Sequence, residues 1–339
     1  MTDDNSKPGT ERKALPITAQ ARRKMAADAH QRGLTFLKEH LKEGSWAFKP
    51  GLKEPSTEAT AWCAIALRND AETAQQVLDF LRRTQNSDGG WSTAPGAGKS
   101  DWTASLALLS GRILTHMHQN APWTAGMQSS LTRCSNYLFD VRTEFYRPVA
   151  RLILLLIKGE ASLHYARGWP WMKGCFHWVE PTSYSLLALN IPHALSAEVF
   201  KQAAAYADKF LIENACTGGG WNHGNVRCLG ADLPPYVVTT AEALLALQNK
   251  KTDPKVAAGF KYLDKTRHEN TSAMSLAWTL LARNAHEISQ DEEIDRLLKA
   301  QNKDGSFGPN LMVTGLALAA LDAALGRNAL KFGAKGGQA

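Results

Sequence analysis

Apolar positions recur along this chain with a helical spacing almost from end to end, and they fall into two kinds of segment. One kind is mixed: 31–41, 71–84, 197–213, 253–265 and 291–300 set an apolar stripe among Lys, Arg, Asp and Glu. Such stretches predict surface helices that bury a single face. The other kind is apolar or small on nearly every side, at 59–67, 103–109, 183–189, 240–247 and 313–321. A helix without a polar face is buried all round, so alternation of the two kinds predicts an inner set of helices wrapped by an outer set. No period-2 stretch stands out as a strand.

A phrase recurs between these segments. Gln85-Asn86-Ser87-Asp88-Gly89-Gly90-Trp91 follows one mixed helix, and Gln301-Asn302-Lys303-Asp304-Gly305-Ser306-Phe307-Gly308 follows another. Looser copies end in Gly44-Ser45-Trp46 and Gly218-Gly219-Gly220-Trp221. With degenerate copies near 135–178 and 268, the spacing fits a period of roughly 45, in the range of helical-hairpin arrays. Asp-Gly suits the turn after a helix, Gln can bond the backbone of the adjacent repeat, and the ring packs against the next hairpin. The phrase reads as a staple rather than as chemistry.

The expected fold class is all-α, an α/α toroid (barrel) of about six helical hairpins. An open solenoid would need polar capping repeats at both ends, and the last inner segment, 313–325, is as apolar as the others. Segments 146–158 and 181–190 both read as inner helices with little outer helix between them, which leaves room for a seventh hairpin. The expected boundaries are a flexible basic leader over 1–25, one toroid domain over 26–328 and a flexible tail over 329–339.

Composition narrows function mainly by exclusion. A chain of 339 residues, 44% hydrophobic and 21% charged, is ordinary for a globular protein. Its longest apolar run, 152–157, is far short of the ~20 residues of a membrane span. Met1-Thr2-Asp3-Asp4 is no secretory signal, so a cytoplasmic location is expected. The net charge of +7 is modest and partly local to Lys7, Arg12, Lys13, Arg22, Arg23 and Lys24. No nucleic-acid footprint is read there, although such a cluster suits peripheral contact with anionic lipid headgroups. The 5 cysteines, Cys63, Cys134, Cys175, Cys216 and Cys228, are odd in number and contain no C-x-x-C pair, so reduced thiols are expected. Gly96-Ala97-Gly98-Lys99-Ser100 imitates the end of a phosphate-binding loop, but Thr93 stands where the first Gly belongs and no strand precedes it. No cofactor is expected.

The order of helix, Gln, Asp-Gly and aromatic resembles the QW repeats of squalene and terpene cyclases, and more distantly those of protein prenyltransferase β subunits, over residues 30–326. The likeness is strongest at 54–62, at Gly168-Trp169-Pro170-Trp171, at 178–182, and at Gly219-Gly220-Trp221-Asn222 with 232–236. The resemblance implies an apolar central cavity that takes an isoprenoid or polyprenyl chain. Relatives of the squalene-hopene type have two such domains and begin their reaction by protonating an alkene from a DxDD motif that opens an inner helix. No DxDD occurs here. The position of its central Asp is held by Glu58, Asp101, Glu180, Val238 and Met312 in different repeats.

Glu58, Asp101 and Glu180 are therefore the candidate catalytic acids, with Asp101 foremost because Asp-Trp-Thr-Ala is nearest to the family's Asp-Asp-Thr-Ala. Buried carboxyls that converge hold their protons at neutral pH. Aromatic faces stabilise cations, which makes Trp62, Trp102, Trp169, Trp171, Phe176, Trp178, Tyr184, Tyr236 and Trp278 the candidate substrate-binding residues. About half of these rings are expected to face the cavity, the others interlocking hairpins.

Three functions fit these residues. The first is a single-domain, terpene-cyclase-like protein that binds an isoprenoid and cyclises it by protonation. The second is a non-catalytic scaffold for a polyprenyl lipid or a partner protein. The third is a zinc-dependent prenyl-transfer subunit, with Cys175, His177, His223, Cys228 and Asp232 as the candidate ligands, although that family's Asp-x-Cys spacing is missing. The first two need no metal.

Overall fold

The computed structural model describes residues 17–144, 168–191 and 198–332. Its helices in chain order are α1 (Ala19–Glu39), α2 (Thr57–Ala66), α3 (Ala71–Thr84), α4 (Thr103–Met117), α5 (Gln128–Glu144) and α6 (Val179–Asn190). They continue as α7 (Glu198–Glu213), α8 (Val237–Ala246), α9 (Pro254–Lys265), α10 (Ala273–Ala285), α11 (Asp291–Lys299) and α12 (Leu311–Ala324). Side-chain caps from Ser56, Asp70, Asp253, Ser272 and Asn310 start α2, α3, α9, α10 and α12.

The even-numbered helices form the inner ring. Each packs on the next, α2 on α4, α4 on α6, α6 on α8, α8 on α10 and α10 on α12, and α12 packs back on α2. The odd helices lie outside and bury one stripe each. Small residues set the ring's diameter: a Cβ on Gly315 of α12 would come within 2.6 Å of the Cys63 backbone nitrogen on α2. Alternation of direction within each hairpin makes the inner helices parallel, so their N-termini gather at one end of the toroid.

The repeated phrase staples the two layers together. The indole N–H groups of Trp46, Trp91, Trp169 and Trp221 donate to the carbonyls of Leu37, Leu81, Leu138 and Leu211 at 2.8, 2.9, 2.8 and 2.6 Å. The backbone N–H groups of Trp46, Trp169, Trp221 and Phe307 donate to Oγ1 of Thr60, Thr182, Thr240 and Thr314 on the following inner helix. Gln85 bridges the carbonyls of Gly89 and Ser130, and Gln301 those of Gly305 and Ala29. Gln301 thereby ties the last outer helix to the first.

A buried ion cluster closes the same seam. Asp322 on α12, 1% exposed, meets Arg68 at 2.6 Å, Arg327 at 2.6 Å and Nε2 of His30 at 3.2 Å.

The expected boundaries need correction at both ends. Residues 19–25 of the supposed leader are helical, and Arg22 pairs with Asp295 at 2.7 Å and Asp291 at 3.1 Å. Leu330 of the supposed tail is buried, and its carbonyl accepts from Gln248. The inner helix α10 occupies the degenerate repeat after 268. Two short antiparallel hairpins also appear, β1 (Trp169–Pro170) with β2 (His177–Trp178) before α6, and β3 (Arg227–Cys228) with β4 (Ala231–Asp232) before α8. Segment 146–158 lies outside the described residues, and the ring closes without it. No described helix is long and apolar enough to cross a membrane.

Candidate active site

The N-terminal end of the inner ring holds three carboxyl groups. Glu242 lies beyond the first turn of α8 and is 1% exposed. Its Oε1 accepts a 2.6 Å hydrogen bond from the Tyr184 hydroxyl of α6, while its Oε2 is buried with no hydrogen-bond partner. Burial raises its pKa well above the ordinary carboxylate range, the nearby charges of Glu180 and Glu58 add to the rise, and the Tyr184 bond opposes it. Burial thus favours the protonated form of Glu242 over the carboxylate.

Glu180 sits in the first turn of α6 and is 6% exposed. Its Oε1 is bonded to Nδ1 of His223, and its Oε2 is buried without a partner. Glu58, in the first turn of α2, is pushed up to about 7 by burial. Tyr184 is also raised, first by burial and then by Glu242, so its hydroxyl stays protonated and donating.

Aromatic rings surround these acids. Trp62 of α2 meets Trp278 of α10 edge-on at 5.0 Å, Tyr184 stacks on Trp278 at 6.0 Å, and Trp102 lies 5.8 Å from Tyr184. Trp171 packs edge-on against Trp102 at 5.0 Å. Trp62 and Trp278 are each 1% exposed, whereas Trp102 and Trp171 are partly open to solvent. His223 has Tyr236 at 5.2 Å and Trp178 at 6.1 Å, which forms a second aromatic edge beside Glu180. Side chains of α2, α6, α8 and α10, with Trp102 at the head of α4, thus converge on one dry end of the ring.

No family model matches the sequence, and no curated protein matches it either. Among solved structures, a variant of type II terpene cyclase MstE from Scytonema, in complex with geranylgeranyl dihydroxybenzoate, superposes with a TM-score of 0.62. The two share 14% identity over 91% of this chain and 99% of that one. The fold is a terpene cyclase-like α/α toroid. A protein from Actinoplanes superposes with a TM-score of 0.57 at 17% identity, over 88% of this chain and 99% of its own. An alpha-amylase from Clostridium perfringens also fits, with a TM-score of 0.61 at 12% identity over 91% and 99% of the two chains. Such low identities establish shared architecture, and the chemistry has to be argued from the site.

Within the terpene cyclase-like toroid, the candidate residues separate. Glu58 and Glu180 lie near enough to Glu242 to raise it. Asp101 does not join them. Its Oδ1 accepts from the Thr103 backbone N–H at 2.8 Å and the Thr103 hydroxyl at 2.7 Å, and its Oδ2 accepts from the Thr93 N–H at 2.9 Å. Both oxygens of the foremost sequence candidate are thus engaged by donors of Thr103 in α4 and of Thr93 in the preceding loop. Trp169 is corrected likewise: it is 2% exposed and repeats the staple geometry of Trp46 and Trp221. Phe176 is 66% exposed, and Tyr236, 46% exposed, stands beside His223 at the rim of the cluster.

Glu242 was not among the sequence candidates. The available signal was a lone carboxylate on an otherwise apolar inner helix, Thr240-Ala241-Glu242-Ala243-Leu244, where an unpaired charge is too costly to keep ionised. The zinc candidates scatter. His223 is bonded to Glu180, Nδ1 of His177 accepts from the Gly168 N–H, Asp232 pairs with Arg227, and Cys175 and Cys228 are exposed. Among the described residues no three His, Cys, Asp or Glu side chains converge as a metal site.

Proposed function

We propose that this protein takes an isoprenoid chain at the aromatic end of its toroid and begins its cyclisation by protonation, with Glu242 as the acid. One observation carries this reading: a carboxyl 1% exposed, bonded through Oε1 to Tyr184 and with no hydrogen-bond partner on Oε2, whose burial favours the protonated form. The proton resides on Oε2, because Oε1 is the acceptor. Facing no acceptor of the protein, it is available to a weak base such as an alkene.

In the first step the O–H bond breaks, a C–H bond forms at one alkene carbon, and positive charge develops on the other. The carboxylate left behind keeps the Tyr184 hydrogen bond, which stabilises the conjugate base. The rings of Trp62, Trp278 and Trp102 offer their faces to the cation, and the Glu180–His223 pair adds a polar edge. Glu58, partly buried and titrating at about 7, is suited to exchange protons with solvent and restore the acid. A cytoplasmic location, with the basic N-terminal region against anionic lipid, accords with an apolar substrate drawn from a membrane.

Support also comes from the isoprenoid-bearing ligand of the terpene cyclase neighbour. A second reading is a carrier or scaffold without chemistry, which the isoprenoid-bearing ligand of the neighbour supports equally. Incubation with geranylgeranyl diphosphate, farnesyl diphosphate and squalene in D2O, followed by mass spectrometry, separates the two. Cyclic products carrying one deuterium, lost in Glu242→Gln, are expected. Binding without product selects the carrier, and hydrolysis of oligosaccharides in their place overturns both.

A further inference from the structure

We infer that the cleft between α4 and α5, at the far end of α4 from Trp102, is a second binding site, taking a small organic oxyanion seated on Arg112. The cleft has a volume of about 600 Å³ and is floored in part by the 3-10 turn Pro122–Met127. That size suits a metabolite of modest length.

Arg112 is 6% exposed and lines the cleft. One guanidinium nitrogen donates to the Ala188 carbonyl and another to the Ser135 hydroxyl at 2.9 Å. A guanidinium has five N–H donors, so most of them are uncommitted to the described residues. Among the described residues, no carboxylate is a partner of Arg112 or lines the cleft. The other buried arginines are treated differently: Arg68, 4% exposed, lies on Asp322, and Arg283, 3% exposed, on Glu293 and Asp264. Burial lowers the Arg112 guanidinium to about 10, so it is still charged at neutral pH. A buried cation without a counter-ion is costly in a folded chain, and an anionic ligand removes that cost.

The walls complete the argument. Gln128, Thr132 and Asn136 recur at one-turn spacing along α5 and line the cleft together with Thr115 of α4 and Gln119 of the turn that follows it. Paired helices ordinarily meet along apolar stripes, whereas these two present amides and hydroxyls. Oγ1 of Thr115 is buried with no hydrogen-bond partner. Arg112, with the imidazole of His116 also in the lining, among neutral donors and acceptors is the chemistry that recognises a phosphate ester or carboxylate on a hydroxylated carbon skeleton. It is not the chemistry that holds an isoprenoid tail, so this site stands independently of the proposed reaction.

Calorimetric titration of the full chain at constant ionic strength tests the inference, with inorganic phosphate, glycerol 3-phosphate and glutarate as probes and glycerol as the uncharged control. Saturable binding of at least one anion is expected, with none for glycerol. Arg112→Gln should raise its Kd about tenfold or more. Because Arg112 is buried, the exposed double variant Thr132→Ala/Asn136→Ala supplies a second reading and should raise Kd several-fold with an unchanged Tm. No saturable heat from any anion, equal binding of glycerol, or an unaltered Kd in the double variant overturns the proposal.

Discussion

The hydroxyl of Tyr184 donates a 2.6 Å hydrogen bond to Oε1 of Glu242, and both side chains are buried. In the proposed reaction this contact leaves Oε2 to carry the proton and stabilises the carboxylate that remains when the proton is transferred. Glu242→Gln keeps an acceptor for Tyr184 and removes the acid. Product formation should fall by about 10²- to 10⁴-fold while Tm stays close to that of the wild type. Tyr184→Phe leaves Oε1 unsatisfied and should lower stability by about 1–3 kcal/mol, with kcat reduced more than KM is raised. Turnover by mass spectrometry and urea unfolding measure the two effects.

Glu58 makes stability depend on pH. Its carboxyl is raised by burial from 4.5 to about 7 in the folded chain. Between those values the folded state binds a proton that the unfolded state has released. The contribution is therefore complete below pH 4.5 and is lost as pH rises to about 7, amounting to about 3 kcal/mol. Glu242 acts in the same direction at higher pH. Urea midpoints at pH 5 and pH 8 should differ for the wild type and draw together in Glu58→Gln; an unchanged difference in that variant refutes the assignment.

Asp322 acts at the acid end. Burial alone would raise its pKa, but the His30 hydrogen bond and the charges of Arg68, His30 and Arg327 outweigh this and lower it to about 2. Its stabilisation is present above 3.8 and disappears as pH falls through about 2. Asp322→Asn strands the buried Arg68 and should cost about 3–5 kcal/mol at neutral pH. Calorimetric Tm at pH 7 is the check, and a loss below about 1 kcal/mol would show that solvent reaches the guanidinium.

The turn of the repeated phrase should be less tolerant than its glutamine. Gly305 has φ of 94°, and a Cβ there would lie 2.6 Å from the Arg32 carbonyl oxygen of α1. Gly305→Ala must therefore move backbone as well as adopt a disfavoured φ. Gln301→Ala removes two hydrogen bonds to carbonyls and should cost about 1–3 kcal/mol. Chemical denaturation should rank Gly305→Ala as the more damaging; the reverse order would mean that the seam yields easily.

The ring itself was legible because burial dictates composition: segments with no polar face can only be inside. The same register that aligned the inner helices also singled out Glu58 and Glu180, which lie near Glu242. It passed over Glu242 because it compared first-turn positions, and on α8 that position is Val238, with the acid one turn deeper. Asp101 is ambiguous for a related reason: an Asp two residues before a Thr can bind that residue's backbone N–H or face the ring axis, and the letters are the same for both. Trp169 likewise shares its letter with Trp62, though one indole reaches a helix carbonyl and the other packs on a ring. Helix α10 was obscured by Arg283, whose charge is neutralised only in three dimensions by Glu293.

The bond from Gln301 to Ala29 spans 272 positions of sequence. A linear array can add or lose an end unit and keep the remainder intact, whereas here every hairpin has two neighbours and none is terminal. Folding must accordingly bring distant segments together before the last interface forms, which raises contact order and slows the final step relative to open helical repeats. It also makes the starting point of the chain arbitrary to the architecture: a circular permutant opened in the loop between α9 and α10 keeps every packed pair of helices, and differs from the parent in the route by which the circle is completed.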